Sequence, residues 1–176
     1  MSYCSAASLP FHGPYHDTEY GFPVRDDAVL FERLMLEINQ AGLSWLTILK
    51  KRDGFRKAYH GFDIDRVARY GERDRARLMR DAGIIRNRLK VNAAIENARR
   101  VRALQKQHGS FLAWLDGNHP LALDEWRKLS KGTFLFTGGE IVNSFLLSTG
   151  YLPGAHEESC PVYRKVLKAR PAWMRG

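Results

Sequence analysis

LEINQAGLSWLTILKK, residues 36–51, contains the junction between two predicted helices. Before Gly42, apolar residues recur with helical spacing after an acidic start at Asp26 and Asp27, which the helix macrodipole favours. After Gly42, Ser44 is a suitable N-cap for a second helix that extends to residue 51. The junction therefore predicts a helical fold.

Two side chains of this stretch are candidates for function. Glu37 lies among apolar neighbours, where burying an unpartnered carboxylate is costly, and this cost is typical of functional residues. Trp45 follows the Gly42 break and can face the same cavity. In the alternative reading, Glu37 lies at the solvent edge of its helix and Trp45 belongs to the core. These residues alone leave both readings open.

The rest of the chain shows the same helical spacing and almost no strand signal. We expect further helices over residues 55–59, 64–70, 72–81, 87–107, 111–115, 122–129, 141–148 and 157–170, the last of which is basic. The polar stretch GPYHDTEYGFP, residues 13–23, is predicted to be a loop before the first long helix. Because no repeat or interdomain linker interrupts the pattern, residues 1–176 are predicted to form a single all-α domain.

The charge of the chain is strongly positive and unevenly distributed. Lysine and arginine number 28 against 19 aspartates and glutamates, for a net charge of +9. Residues 50–102 carry 17 basic and 7 acidic side chains, so the remainder of the chain comes to −1. Clustered cations suit a polyanion such as nucleic acid, although a solvated basic face is the alternative.

Nothing in the sequence predicts a membrane segment or a secretory signal. No run of eighteen apolar residues occurs, and the first twenty residues lack a basic segment followed by an apolar one. We therefore expect a cytoplasmic protein.

Cysteines and histidines at the two ends of the chain are candidate metal ligands. HEESC, residues 156–160, places His156 four residues before Cys160, and on a helix two residues with this spacing lie on the same face. Near the other end lie Cys4 and two histidines, His12 and His16. Two cysteines and two histidines suit tetrahedral zinc, which would tie the termini together, but buried free thiols are the alternative. The residues themselves do not distinguish His12 from His16.

Four motifs together resemble the 3-methyladenine DNA glycosylase I family. They are YHDTEYG (residues 15–21), LEINQAGLSWLTILKKRDGFRKAYHGFD (36–63), DAGIIRNRLKVNAAIENAR (81–99) and HEESC (156–160). The resemblance is close over residues 4–115 and looser over 132–162. It implies an all-α helix-hairpin-helix glycosylase architecture, in which two helical lobes flank a cleft.

The resemblance also implies roles for individual residues. It assigns a structural zinc to Cys4, His16, His156 and Cys160, and so prefers His16 over His12. It places the damaged base against Tyr15, Trp45 and Tyr20, with Glu37 as the catalytic carboxylate. In the helix-hairpin-helix region, residues 134–148, it assigns backbone N–H groups at Gly138 and Gly139 to a DNA phosphate.

The implied activity is monofunctional hydrolysis of the N-glycosidic bond of 3-methyladenine in double-stranded, alkylated DNA, by a monomer that flips the nucleotide. The stretch TGYLPGAHEESC after the hairpin helix has no aspartate, so catalysis is expected to use a labile substrate and an ordered water. The alternatives are a divergent, non-catalytic DNA-binding protein of the same fold, or a glycosylase for another alkylated base.

Several positions depart from the family pattern. Ala6 and Tyr20 replace tryptophans, and the hairpin carries Gly139 and Glu140 with Asn143 in place of a Thr-Thr pair and a tyrosine. Residues 116–132 also form a shorter segment than usual. Because an acid repels a phosphate, Glu140 is predicted to weaken the grip on DNA.

Overall fold

A computed structural model describes residues 2–175 of the protein, and within them the regular structure is entirely helical. This confirms the predicted all-α class. The α-helices are α1 (His12–Thr18), α2 (Asp27–Gln40), α3 (Trp45–Ala58), α4 (Ile64–Ala68), α5 (Glu72–Arg80), α6 (Arg88–His108), α7 (Phe111–Asn118), α8 (Leu123–Thr133), α9 (Gly139–Ser148) and α10 (Tyr163–Lys168). Short 3₁₀ segments cover Tyr3–Ala6, His60–Phe62 and Ala172–Met174. Across residues 2–175, no helix is both long enough and apolar enough to cross a membrane.

Helix α2 lies at the centre of the molecule and positions the rest. Every residue from 30 to 39 is buried, and the helix contacts α3, α6, α7 and α9. Its first residue, Asp27, accepts hydrogen bonds from the backbone N–H groups of Phe111 at 2.8 Å and Leu112 at 3.0 Å. The Asp27 carboxylate thereby caps the N-terminus of α7, because the first N–H groups of a helix have no partner within the helix itself.

Helix α3 is continuous, so the prediction of separate helices over 44–51 and 55–59 was wrong. Gly54 looks like a break in the sequence, but it lies inside the helix at a close approach to Gly83. A Cβ atom at position 54 would lie 2.3 Å from the Gly83 carbonyl oxygen. The glycine is therefore required by packing between two segments and not by the local backbone.

Two further predictions near the termini were wrong, and proline explains both. Residues 12–18 form α1 and not a loop, because Pro14 lies in the first turn, where a missing N–H costs little. The final helix begins only at Tyr163, because Pro161 disfavours helical geometry at Cys160. His156 and Cys160 therefore lie in a turn segment, not on one face of a helix.

The hairpin turn, residues 134–138, joins α8 to α9 and is anchored on α6. Asn97 is fully buried; its side-chain amide donates to the Leu135 carbonyl at 3.0 Å, and its oxygen accepts from the Leu135 N–H at 2.8 Å. Helix α9 then packs on both α8 and α2. This arrangement places the start of α9 opposite the α2–α3 junction.

Candidate base-binding site and metal centre

A cavity of about 140 Å³, here called the aromatic cavity, lies at the α2–α3 junction. It is lined by Tyr3, Tyr15, Tyr20, Glu37, Gln40, Trp45 and Ser144. The lining comes from three parts of the chain: the N-terminal segment, the α2–α3 pair and α9. Four of these seven residues are aromatic, so the walls suit a flat, polarizable ligand.

Glu37 is the one acid among the described residues that line the aromatic cavity. It is 6% exposed, and within residues 2–175 no protein group hydrogen-bonds to its carboxyl group. Burial raises the pKa of Glu37 to about 8, although the nearby charge of Arg33 acts in the opposite direction. The carboxyl group is thus buried, unpartnered and available to a ligand.

Tyr15 is a central residue of the aromatic cavity, and its ring contacts the other three aromatic rings. Its ring centroid lies 5.3 Å from Trp45, 6.0 Å from Tyr20 and 6.1 Å from Tyr3. Arg33 fixes the hydroxyl, because its Nη1 donates to the Tyr15 oxygen at 3.1 Å. Burial raises the pKa of Tyr15 to about 12, so the hydroxyl stays protonated at neutral pH.

A network of ion pairs lies beneath Tyr15 and holds α2 against α3. Glu19 accepts from Arg33 at 2.8 Å and, through both oxygens, from Arg52 at 2.7 Å. Arg52 also donates to Glu32 at 2.7 Å, and Glu32 is paired with Arg56 at 3.0 Å. Glu19 is therefore not a local turn or cap residue, since its partners lie 14 and 33 residues away along the chain.

Part of the basic excess of residues 50–102 is used inside the protein, in ion pairs and hydrogen bonds. Arg52 is directed inward onto Glu19 and Glu32, and others of the group pair with acids on neighbouring turns, as Arg75 does with Glu72 at 2.9 Å. Lys90 donates to the carbonyls of Asn39 at 2.7 Å and Ala41 at 2.8 Å, which holds the end of α2. A DNA-binding role for the exposed members of the group stays a prediction.

The aromatic cavity opens into a larger space of about 590 Å³, here called the hairpin cleft. Its lining is Glu37, Gln40, Ala41, Gly42, Leu43, Gly138, Gly139, Glu140, Ile141 and Ser144. Glu37, Gln40 and Ser144 line both spaces. A ligand in the aromatic cavity can therefore be continuous with a larger molecule held against the hairpin turn.

The start of α9 has the features of an anion-binding helix terminus. Gly138 is the N-cap, it provides no side-chain cap, and a Cβ there would meet nothing within 4 Å. The first N–H groups of the helix are thus open to an approaching group. Glu140 is 87% exposed in its side chain and lies 3.6 Å from the guanidinium of Arg127. With Lys128 and Lys131, Arg127 forms a cationic flank along a cavity beside the hairpin turn.

The predicted metal ligands Cys4, His16, His156 and Cys160 converge in one place. Their ligand atoms all lie within 4.8 Å of one another, and we call this set the metal cluster. His16 Nε2 and His156 Nδ1 are 3.2 Å apart, and the sulfur–nitrogen distances include 3.7 Å for Cys4–His156 and 3.7 Å for Cys160–His16. A tetrahedral zinc with ordinary bond lengths requires about 3.3 Å between nitrogens and about 3.6 Å between sulfur and nitrogen. The residues therefore fit such an ion.

Neighbouring groups orient both histidines of the metal cluster. His16 Nδ1 lies 2.6 Å from the Asp17 carboxylate, and His156 Nε2 lies 2.6 Å from the Tyr20 carbonyl oxygen. Since these oxygens only accept, each of these ring nitrogens carries the proton and the opposite nitrogen is free for a metal. His12 lies outside the metal cluster; its Nδ1 is 3.0 Å from the Tyr3 hydroxyl.

Some residues of the aromatic cavity were absent from the sequence-based expectation. Tyr3 directly precedes Cys4, so its proximity to a predicted metal ligand was the available signal. Gln40 lies three residues after Glu37, which is helical spacing for the same face. Ser144, and Arg33 behind the cavity on the Tyr15 hydroxyl, had no comparable signal, because their positions depend on the packing of α9 and α2.

Comparison with known proteins gives a consistent set of relatives. A profile of the family described as Methyladenine glycosylase matches residues 5–125. The DNA-3-methyladenine glycosylase 1 of Escherichia coli (strain K12) is 38% identical over 173 residues, covering 88% of this chain and 92% of that protein. The DNA-3-methyladenine glycosylase of Haemophilus influenzae is 36% identical over 166 residues, covering 84% and 89%.

Solved structures agree with these sequence relatives and confirm the predicted architecture. The 3-methyladenine DNA glycosylase I of Staphylococcus aureus, studied for its recognition of 3-methyladenine, superimposes with a TM-score of 0.82 at 32% identity, covering 90% of this chain and 94% of that one. A single-residue variant of a 3-methyladenine DNA glycosylase I, in complex with 3-methyladenine, gives a TM-score of 0.80 at 32% identity, covering 92% and 97%.

Proposed function

Because the chain belongs to the methyladenine glycosylase family, we propose that it is an enzyme that releases 3-methyladenine from alkylated DNA. The observation that carries this proposal is the buried, unpartnered Glu37 in a cavity with aromatic walls. In the reaction, water adds across the bond between the sugar and the base. The products are the free base and an abasic site that remains in the DNA.

Glu37, Tyr15 and Trp45 would bind the extruded base. N3-methylation leaves positive charge on the adenine ring, which aromatic faces attract by about 1–2 kcal/mol when the site is desolvated. Entry of this cation favours the ionised form of Glu37, whose pKa is otherwise raised by burial. A base without a matching donor and charge leaves the carboxyl group unpaired, which disfavours undamaged purines.

Little in the aromatic cavity can act as a strong base toward water. Its described lining contains neither aspartate nor histidine. Glu37, with a pKa of about 8, is mostly protonated at neutral pH in the free protein. We therefore attribute the reaction to an already weakened glycosidic bond, with Glu37 offsetting the charge of the bound base. Tyr20, at the cavity edge, would contribute a further aromatic contact.

The hairpin cleft would hold the DNA. Gly138 leaves room for a phosphate at the start of α9, Gly139 lies against the guanidinium of Arg127, and Lys128 and Lys131 extend positive charge along the same side. The contact of Glu140 with Arg127 would reduce the repulsion that this acid exerts on a phosphate. We further propose that the protein is a cytoplasmic monomer that acts on duplex DNA.

The metal cluster would hold a structural zinc ion. Two cysteines and two histidines complete a tetrahedron, so no position is left for water or substrate. Cys4 and His16 belong to the N-terminal segment, and His156 and Cys160 to the C-terminal one. The ion would supply a crosslink between these segments, and Tyr15, next to His16, would be held over the aromatic cavity.

The test is incubation of the purified protein with methylated duplex DNA, followed by mass spectrometry of the released bases. We expect 3-methyladenine as the main product. Release of a different alkylated base would favour the second reading, a glycosylase of other specificity. Salt-sensitive binding to alkylated or abasic duplex without release of any base would favour a non-catalytic DNA-binding protein and would refute the proposal.

A further inference from the structure

Tyr3 lines the aromatic cavity, although it lies in the short segment before α1. Its ring centroid is 4.8 Å from that of Tyr20 and 6.1 Å from that of Tyr15, with interplanar angles of 60° and 76°. Ala6, two residues after Cys4, is not part of the lining. The N-terminal segment thus reaches the cavity through Tyr3.

Two independent constraints fix the position of the Tyr3 ring. Its hydroxyl lies 3.0 Å from Nδ1 of His12, a buried residue in the first turn of α1. Its backbone continues directly into Cys4, whose sulfur is part of the metal cluster. A half-buried ring with both ends held loses little further freedom when a ligand binds.

The arrangement of the rings distinguishes Tyr3 from a residue that only fills space. The rings of Trp45, Tyr3 and Tyr20 each contact the ring of Tyr15, at centroid distances of 5.3, 6.1 and 6.0 Å. A flat base that enters the cavity therefore meets Trp45 from α3 and Tyr3 from the N-terminal segment. The contact would be an aromatic one, since the Tyr3 hydroxyl is already engaged by His12.

From this geometry we propose that Tyr3 is a base-binding residue, and that the metal cluster sets the position of its ring through Cys4. The proposal rests on the proposed function, because it assumes that a methylated purine occupies the aromatic cavity. It adds a binding residue at the N-terminus and a physical link between the metal centre and the affinity for the base.

The test measures the affinity of the metal-loaded protein for free 3-methyladenine by calorimetry. Tyr3→Ala should weaken binding on the order of tenfold, which is typical of losing one aromatic contact to a base. Tyr3→Phe keeps the ring and should stay within about threefold of the wild type. Leu9→Ala removes an exposed side chain, 52% accessible, from the same segment and should change nothing. Metal content and melting temperature are measured for each variant.

The link to the metal is tested by repeating Tyr3→Ala in the Cys160→Ala background. If the metal cluster positions the ring, the substitution costs less there than in the metal-loaded protein, so the two effects are non-additive. An equal loss in both backgrounds would overturn the link. If Tyr3→Ala does not fold, Tyr3→Leu, which keeps apolar bulk without a ring, replaces it.

The possible failures are distinguishable. If the wild type binds and releases 3-methyladenine but the folded Tyr3→Ala and Tyr3→Leu variants bind it equally well, the role of Tyr3 is refuted and the proposed function stands. A loss in Tyr3→Phe as large as in Tyr3→Ala would refute the ring contact and assign the effect to the hydroxyl. If the wild type neither binds nor releases 3-methyladenine, the proposed function fails and this proposal fails with it.

Discussion

At the scale of single residues, the sequence located those that lie within recognisable motifs and missed those defined by long-range contacts. Glu37 was a candidate because a carboxylate among apolar neighbours is visible in the sequence itself. The partners of Glu19 were not visible, since Arg33 and Arg52 reach it across 14 and 33 residues of chain. Such contacts depend on how helices pack, and no local spacing encodes them.

Glu37 should make the stability of the protein depend on pH. Its folded-state pKa of about 8 lies above the ordinary value of 4.5, so the folded protein binds this proton more tightly than the unfolded chain. The resulting contribution to the free energy of unfolding is fully present below about pH 4.5. This contribution is lost as the pH rises toward about 8, at up to about 1.4 kcal/mol per pH unit. Glu37→Gln removes the titration, so the variant should gain stability relative to the wild type over this interval, measured by urea unfolding at several pH values.

The control for this experiment is Glu140→Gln, because the Glu140 side chain is 87% exposed. This substitution should change the free energy of unfolding only slightly, as is usual for an exposed side chain. A Glu37→Gln difference that does not change between pH 5 and pH 8 would show that the Glu37 carboxyl group is ionised and solvated in the folded protein.

At the scale of elements, hydrophobic periodicity predicted most helices, and glycine and proline caused the errors. Gly54 lies inside α3, between the two helices that were predicted separately, and the structure uses it for a close contact with Gly83. Pro14 was predicted to lie in a loop but lies in α1. Pro161 was predicted to lie inside the final helix but precedes α10. The effect of these residues depends on their position in the helix turn and on neighbouring segments, which a single sequence does not specify.

Gly54→Ala should destabilise the protein despite the higher helix propensity of alanine. The added Cβ would lie 2.3 Å from the Gly83 carbonyl oxygen, so α3 and the segment after α5 must separate. We expect a loss of roughly 2–4 kcal/mol in the free energy of unfolding. Gly132→Ala in α8 is the matched control, since nothing lies within 4 Å of its Cβ, and it should be neutral or stabilising by up to about 1 kcal/mol. Equal effects at both positions would contradict the close-contact explanation.

The cationic flank of the hairpin turn should contribute to DNA affinity. Lys128→Gln and Lys131→Gln each remove an exposed charge beside Gly138. Each should weaken duplex binding at low salt and reduce the slope of log affinity against log salt concentration by about one. Lys106→Gln, exposed near the end of α6, is the control. An unchanged salt slope in both hairpin variants would place the DNA elsewhere.

At the scale of the whole molecule, the closure of the two termini on each other is the main feature that periodicity did not predict. The four residues of the metal cluster come from positions 4, 16, 156 and 160, and their convergence depends on the entire intervening fold. The resemblance to a known family supplied this expectation, including the choice of His16 over His12. The presence of zinc itself stays a prediction.

Metal analysis can test the closure of the termini directly. Cys160→Ala should lose the bound metal and lower the melting temperature by several degrees, because the crosslink between the two ends is removed. His12→Gln should keep one metal ion per chain, since His12 lies outside the metal cluster. Loss of metal in His12→Gln and its retention in Cys160→Ala would contradict the assignment.

The central claim is that a buried carboxyl group in an aromatic cavity recognises a cationic, methylated base. Single-turnover release of 3-methyladenine from methylated duplex DNA by the wild type and by Glu37→Gln tests it most directly. We expect rapid release by the wild type and a decrease of roughly a hundredfold in the variant, with metal content and duplex affinity retained. Equal rates of release by the two proteins would contradict it.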